Sequence, residues 1–121
     1  MASLLRCILL AVLLAVSGCA TVERALPQSQ SRTYAAPMAR VKPAMVSALA
    51  SLGLRMTALE TRGGREILKA RKPGTAVEIE LESVNRASTR ARVSAKSGGL
   101  LNDDDLAARI TREAGRILGE A

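Results

Sequence analysis

The chain has 121 residues, a length that bounds it to a single domain. Hydrophobic residues make up 48% and charged residues 24%, a balance typical of folded globular proteins rather than disordered ones. Tyr34 is the sole aromatic residue and histidine is absent, so the core must be aliphatic, and the usual general base near neutral pH and the commonest metal ligand are both excluded.

The formal net charge of +7 comes from 18 basic and 11 acidic residues. A basic protein can bind nucleic acid, an anionic membrane surface or an acidic polymer. Here the basic residues are spread through the chain, and no run of them is longer than two, as at Arg71-Lys72. This pattern favours a solvated, mildly basic surface over a dedicated polyanion site, and it predicts no nucleic-acid partner.

Residues 1–18 have the organisation of a secretory signal peptide. A single positive charge at Arg6 precedes an unbroken apolar run of ten residues from Cys7 to Val16. A helix needs about 20 apolar residues to cross a hydrocarbon core of ~30 Å, so this run is too short to span a membrane. Its length matches the apolar region of a cleaved leader.

The sequence Val16-Ser17-Gly18-Cys19 resembles the lipobox of bacterial lipoproteins, in which an aliphatic and two small residues precede the cysteine that is acylated. Cys19 is therefore the predicted lipidation site. Val16, Ser17 and Gly18 are the predicted cleavage-site recognition residues, because the peptidase must approach an extended backbone closely. The alternative is an ordinary leader with a chance cysteine. Cys7 would leave with the leader, so no disulfide could form in the mature chain.

The lipobox resemblance also implies a location. In Gram-negative bacteria such a cysteine carries three acyl chains, which gives stable attachment where one chain binds only marginally. An Asp directly after the cysteine resembles a signal for retention in the inner membrane, and Ala20 stands at that position here. The resemblance therefore implies an outer-membrane lipoprotein that faces the periplasm.

A tether and a folded unit follow the anchor. Residues 19–31 show no sustained apolar period and are interpreted as a lipid-anchored tether, and residues 32–121 as one small domain. The domain opens with a predicted strand at 32–35. Apolar residues then recur at helical spacing over 38–52. Pro43 would cost ~3 kcal/mol in a helix interior, so we expect either a kinked helix or a start near residue 42.

Four strands of an antiparallel meander are predicted next, at 55–61, 66–71, 76–83 and 88–96. Matching the apolar faces of the last two strands places these residues opposite one another: Leu81 and Ala91, Ile79 and Val93, Glu80 and Arg92, Glu82 and Arg90. A four-residue turn at 72–75 likewise puts Lys69 beside Glu78 and Leu68 beside Ile79. Opposite charges across strands stabilise a sheet, so a solvated charge ladder is favoured here over a ligand site.

The turn at Gly63-Gly64 leaves the register of the first hairpin open. A three-residue loop with a bulge would place Met56 and Ala58 in the core together with Leu68 and Ala70. Leu59 and Ile67 would then lie side by side on the charged face. The hypothesis that follows is a small apolar spot with a basic rim for partner contact, although such a pair is also compatible with ordinary surface.

The last predicted element is a helix that begins after Asn102. Its apolar stripe consists of Leu106, Ile110, Ala114 and Ile117. The three aspartates at 103–105 are interpreted as a helix cap and first-turn acids, which the helix dipole favours. The calcium-loop spacing is missing, so no metal site is predicted.

Together these elements predict an α+β fold: a short strand, a helix, an antiparallel four-strand meander and a C-terminal helix. Both helices should cover one face of the sheet, the face that bears Val77, Ile79, Leu81 and Val93. The span from Thr33 onwards resembles an uncharacterised family of small bacterial lipoproteins, known as a domain of unknown function. The resemblance lies in residues 32–37, 48–54 and 77–82 and in a closing helix after a glycine-rich loop. It implies a fold and a location but no mechanism.

An enzyme is disfavoured by several missing features: histidine, a free cysteine in the mature chain, a phosphate-binding glycine loop and a G-x-S-x-G turn. No cofactor is predicted. The leading interpretation is a non-catalytic binding or assembly accessory, anchored in the membrane through Cys19 and working with an envelope protein partner. The alternatives are a structural surface lipoprotein and a module that binds anionic lipid or polyanion.

Overall fold

The computed structural model of the chain describes residues 30–98 and 101–120. These residues form an α+β fold, as predicted, with a mostly antiparallel sheet and two helices. In chain order the elements are β1 (Gln30–Tyr34), α1 (Met38–Ser51), β2 (Arg55–Arg62), β3 (Arg65–Lys72), β4 (Thr75–Asn85), β5 (Ser88–Ser97), β6 (Leu101–Asn102) and α2 (Asp104–Ile117).

The sheet has the strand order β1-β5-β4-β3-β2, and the short β6 pairs with β5. Strands β2 to β5 therefore form the predicted meander, because each pairs with the next along the chain. The predicted registers are confirmed: Ile79 lies opposite Val93 and Leu68, Glu80 opposite Arg92, Glu82 opposite Arg90, and Lys69 opposite Glu78. Strand β6 was not expected from the sequence.

Both helices pack on one face of the sheet, as predicted. Helix α2 contacts β5 and β1, helix α1 contacts β2, β4 and β5, and the two helices contact each other. Beneath them Val77, Ile79, Leu81 and Val93 are buried. Alternation along these strands explains the arrangement, since successive side chains point to opposite faces of a sheet and every second residue here is aliphatic.

Helix α1 begins at Met38 and contains Pro43, so the predicted start near residue 42 is wrong. The proline has no N–H to donate to the carbonyl of Ala39, one turn earlier. Both Ala39 and Pro43 are exposed, so water can bind the carbonyl that the proline leaves without a partner. The helix tolerates the residue because the lost hydrogen bond lies on its solvent side.

Strand β1 begins at Gln30, inside the segment that was predicted to be tether. Gln30 lies opposite Val93 and Ser31 opposite Arg92, so both residues belong to the sheet. The predicted tether therefore overlaps the domain by two residues, Gln30 and Ser31. Pairing with β5 is a contact between distant parts of the chain, which local periodicity does not encode.

The β2–β3 hairpin differs from the predicted one. Gly63 and Gly64 form a two-residue turn in which both φ angles are positive, +54° and +80°, a combination that glycine adopts without steric cost. The bulge lies instead in β2, between Met56 and Ala58. The shift turns Ala58 away from the core, to the same face as Lys69.

Tyr34 occupies the core between β1 and α2 and is fully buried. Its hydroxyl donates a hydrogen bond of 2.6 Å to the carbonyl of Thr111, and the Arg32 guanidinium lies 4.9 Å from the ring centroid. Burial raises the pKa of Tyr34 to about 12, and the nearby Arg32 offsets part of that rise. The hydroxyl therefore stays protonated, and able to donate, at neutral pH.

The N-terminus of helix α2 is capped by Asp103, as predicted. Its carboxylate accepts hydrogen bonds from the backbone N–H of Leu106 at 3.0 Å and from the hydroxyl of Ser97 at 2.8 Å. Both bonds favour the ionised form, and the Leu106 bond contributes most to the lowered pKa of Asp103.

At the other end of the helix the predicted apolar stripe stops early, because Ile117 is 40% exposed.

We expect Asp103→Ala to lower the melting temperature by a few degrees, because it removes the cap and leaves the Leu106 N–H without this acceptor. Asp103→Asn is the matched control, since asparagine also caps helices well. The folded pKa of Asp103 is depressed, so the stability it contributes is present above the ordinary aspartate pKa and is lost as pH falls through the folded pKa. Thermal melts should show a smaller acid-dependent loss in Asp103→Asn than in the wild type. An unchanged melting temperature in Asp103→Ala would contradict the capping role.

Candidate functional site

The sheet face opposite the helices, here called the open face, carries alternating charges. The alternation of side chains along each strand determines which residues lie on the open face. In β4, Glu78 and Glu80 point outward because the aliphatic residues that alternate with them, Val77, Ile79 and Leu81, point inward. Residues directly opposite on antiparallel strands share a face. The open face therefore has four rows across β2 to β5, namely Arg55-Arg71-Ala76-Lys96, Ala58-Lys69-Glu78-Ser94, Glu60-Ile67-Glu80-Arg92 and Arg62-Arg65-Glu82-Arg90.

Most charged side chains in the half of the open face near the Gly63-Gly64 turn form ion pairs, although Arg92 has none among the described residues. The ion pairs there join Arg62 to Glu60 at 2.7 Å, Arg65 to Glu80 at 2.7 Å, Lys69 to Glu60 at 3.5 Å and Arg90 to Glu82 at 3.7 Å. Lys69 and then Arg62 lower the pKa of Glu60. The carboxylate of Glu80 reaches Arg65 on the neighbouring strand rather than Arg92 directly opposite. This half is the solvated charge ladder that the sequence predicted.

The opposite half of the open face is not balanced in this way. Its outermost row, here called the basic row, contains Arg55, Arg71 and Lys96 and no acidic residue. Within residues 30–98 and 101–120, no carboxylate lies within 4.0 Å of the charged nitrogens of these three side chains. Positive charge therefore accumulates at this end of the face.

A depression of about 420 Å³ lies in the same half, and it is here called the basic groove. It forms around Ala76, whose short side chain leaves space between Arg71 on β3 and Lys96 on β5. The groove is also lined by Thr57, Lys69, Glu78 and Ser94. Its volume is within the range of about 300–1,000 Å³ that is usual for small-molecule sites. Three cations, two hydroxyls and one carboxylate suit an anion that also has hydrogen-bonding groups.

The basic row costs the fold stability. Arg55 and Arg71 lie directly opposite each other, and like charges in that position are destabilising. The β2 bulge is immediately adjacent and brings Thr57 to the groove. Bulges that re-aim a side chain are over-represented beside active and binding sites. The basic groove is the candidate site because a depression of about 420 Å³ there adjoins Arg71 and Lys96, which have no ion-pair partner among the described residues.

The predicted contact pair does not form. Leu59 lies opposite Leu68 on the helix-covered face, whereas Ile67 lies opposite Glu60 on the open face. Leu59 is 53% exposed, but Ile67 is only 5% exposed, because it lies among the long side chains of the charge ladder. The prediction was wrong because the bulge lies in β2 rather than in the turn, which reverses the side to which Leu59 points.

The predicted lipidation site Cys19 and the cleavage-site residues Val16, Ser17 and Gly18 lie outside the described residues. So does the predicted signal peptide. Within residues 30–98 and 101–120, neither helix is long and apolar enough to cross a membrane.

Part of the basic groove could have been found from the sequence. The predicted pairing of Lys69 with Glu78, extended by two residues, puts Arg71 opposite Ala76. The predicted pairing of Ile79 with Val93, extended by three, puts Ala76 opposite Lys96. The groove is absent from the predicted sites because the sequence pattern was interpreted as one continuous charge ladder, although the row of Arg71, Ala76 and Lys96 contains no acidic residue.

Comparisons with known proteins do not identify a family for this chain. No protein-family model matches the sequence, and no curated protein matches it. The resemblance of the span from Thr33 onwards to small bacterial lipoproteins therefore remains a prediction.

Proposed function

We propose that the protein is a lipoprotein of the bacterial cell envelope whose domain acts as a non-catalytic binding or assembly accessory. The observation that carries the proposal is the pattern Val16-Ser17-Gly18-Cys19 directly after an apolar run of ten residues. This order of a positive charge, a short apolar run and small residues is typical of an exported leader. Lipid on Cys19 would hold the domain at the membrane surface, in the outer membrane facing the periplasm.

The two faces of the sheet support a binding role. The helices occupy one face and bury the core, so the open face remains for contact with another molecule. Antiparallel sheets commonly leave one face to solvent, and that also suits a purely structural surface lipoprotein. The basic row favours binding because, among the described residues, Arg55, Arg71 and Lys96 have no ion-pair partner. Arg62 and Arg65, which also lie opposite each other, are each paired with a glutamate.

A second candidate function, a module that binds anionic lipid or polyanion, rests on the basic groove. Arg71, Lys96 and Lys69 surround it, with a single carboxylate, Glu78, among the lining side chains. An envelope protein partner with an acidic surface would meet the same charges. Proteins that copurify from a mild detergent extract would distinguish a protein partner from a lipid ligand.

The anchor is tested by Cys19→Ala. The variant should accumulate as an uncleaved or soluble species, because no other cysteine remains in the chain after the predicted cleavage. Cell fractionation and mass spectrometry of the N-terminal peptide measure the outcome. Cys7→Ala is the matched control, since Cys7 lies within the leader and its loss should leave acylation unchanged. Mature protein with an unmodified Cys19 would disprove the anchor.

A further inference from the structure

We propose that the basic groove binds the phosphate of an anionic phospholipid headgroup in the membrane that carries the protein, an inference that rests on the proposed lipid anchor at Cys19. The ligand class is a phosphodiester with a hydroxylated headgroup, such as phosphatidylglycerol. The domain would thus make two contacts with one membrane, a covalent contact through acyl chains and a reversible contact through the groove.

The charge and the space in the groove fit a phosphate. Arg71 and Lys96 flank Ala76 on the strands to either side of it. Neighbouring strands are about 4.8 Å apart, so the two backbones are separated by roughly 10 Å with only a methyl group between them. The long side chains can close on a tetrahedral oxyanion from both sides, and a guanidinium offers two parallel donors to its oxygens.

The remaining lining residues select the type of anion. The hydroxyl of Ser94 can donate to a further phosphate oxygen, whereas the hydroxyl of Thr57 donates to the carbonyl of Lys69 at 3.3 Å. Glu78 accepts hydrogen bonds only, so it favours a headgroup with its own donors, such as the hydroxyls of glycerol. Lys69 lines the groove on the side nearer to the charge ladder, where its ammonium group lies 3.5 Å from the carboxylate of Glu60.

Strand β1, which follows the proposed tether, starts within reach of the basic row. Gln30, the first residue of β1, lies opposite Val93, and β1 runs from there toward Thr89, away from Lys96. Gln30 is therefore the end of β1 that lies nearer to the basic row. Lys96 is three residues along β5 from Val93, which corresponds to about 10 Å.

The tether length is compatible with contact. Cys19 precedes Gln30 by eleven residues, which span at most about 40 Å when fully extended. An anchor this close keeps the domain near the bilayer at a high effective concentration of headgroups. Each basic side chain near an anionic membrane surface adds affinity, and that attraction is short-ranged in salt. A groove held close to its ligand needs only modest intrinsic affinity.

The test uses the full chain in neutral detergent micelles, followed by NMR of the backbone amides of Ala76 and Ser94. Phosphatidylglycerol added to the micelles should shift both amides in a saturable way, and added NaCl should reverse the shift. Phosphatidylcholine has the same phosphate but also a cationic choline, so it should bind much more weakly. Arg71→Gln combined with Lys96→Gln should weaken phosphatidylglycerol binding about 30-fold.

The control removes the same charge from the other end of the sheet. Arg62→Gln combined with Arg86→Gln changes the net charge equally. Both residues are exposed, and they lie at the far end of the sheet from Ala76, Arg62 at the end of β2 and Arg86 in the turn between β4 and β5. This variant should retain wild-type affinity. Both double variants should also keep the wild-type melting temperature within a few degrees, which separates lost binding from lost folding.

Several results would overturn the proposal: no amide shift with phosphatidylglycerol, an equal response to phosphatidylcholine, equal weakening in the control variant, or saturation by inorganic phosphate at the same concentration. The last would assign the groove to a soluble anion. The test is independent of acylation, because the micelle holds the full chain with or without lipid on Cys19. If phosphatidylglycerol does not bind but Cys19→Ala releases the protein from the membrane, only the headgroup proposal is refuted. If phosphatidylglycerol binds but Cys19→Ala stays attached to the membrane, only the anchor is refuted.

Discussion

Replacing Leu68 with alanine is expected to lower the free energy of unfolding by about 2–5 kcal/mol. Leu68 is fully buried on β3, where it packs in the core cluster with Ile79 opposite it on β4. The alanine would remove buried methyl groups and leave a cavity that a close-packed core fills only in part. Domains of this size unfold at a total cost of about 5–15 kcal/mol, so the loss is a large share of the stability. Urea denaturation followed by circular dichroism measures it.

Leu59→Ala is the matched control for Leu68→Ala. The two leucines lie directly opposite each other and share a face, but Leu59 is 53% exposed and β2 is an edge strand. We expect the control to change stability by less than about 1 kcal/mol. Equal losses in the two variants would mean that Leu59 is a core residue and would contradict its exposure at the edge of the sheet.

Tyr34→Ala is expected to cost about 3–5 kcal/mol, the range for truncating a buried aromatic residue. Tyr34 is the largest fully buried side chain among the described residues, and the rest of the core is built from smaller aliphatic groups. Removing the ring would also separate β1 from α2 at the Thr111 contact and leave the Arg32 guanidinium without its stacking surface. Circular dichroism must follow unfolding, because the variant has no aromatic residue to fluoresce.

Tyr34→Phe isolates the hydroxyl from the ring. It keeps the buried aromatic surface and removes only the 2.6 Å hydrogen bond to the Thr111 carbonyl, so the expected loss is about 0.5–1.5 kcal/mol. A phenylalanine variant as unstable as the alanine variant would show that the hydroxyl, rather than packing, holds β1 to α2. Equal stability of wild type and both variants would place Tyr34 outside the core.

Local pattern was enough to predict most of the sheet. Alternation along β4 and β5 places Ile79 and Val93 on one face, and a one-residue slip would bury Glu80 or Arg92 instead. The cost of burying a charge therefore determines the register without any knowledge of the rest of the fold. Local pattern does not determine the register of the β2–β3 hairpin. Gly63-Gly64 can form either a two-residue turn or part of a longer loop, and a small residue of β2 such as Ala58 can lie on either face of the sheet.

The sequence by itself determined strands β2 to β5, their buried face and the cap at the start of α2, because each depends on residues close together in the chain. The lipid anchor at Cys19 stays a prediction from the same kind of local pattern. Tertiary structure decided what depends on distant pairing. Strand β1 joins β5 across more than fifty residues, and that pairing places Gln30 opposite Val93, three residues from Lys96 along β5. The bulge at Thr57 then aligns Arg55 with Arg71. The basic groove exists only where these strands meet, since no short segment contains its charges together.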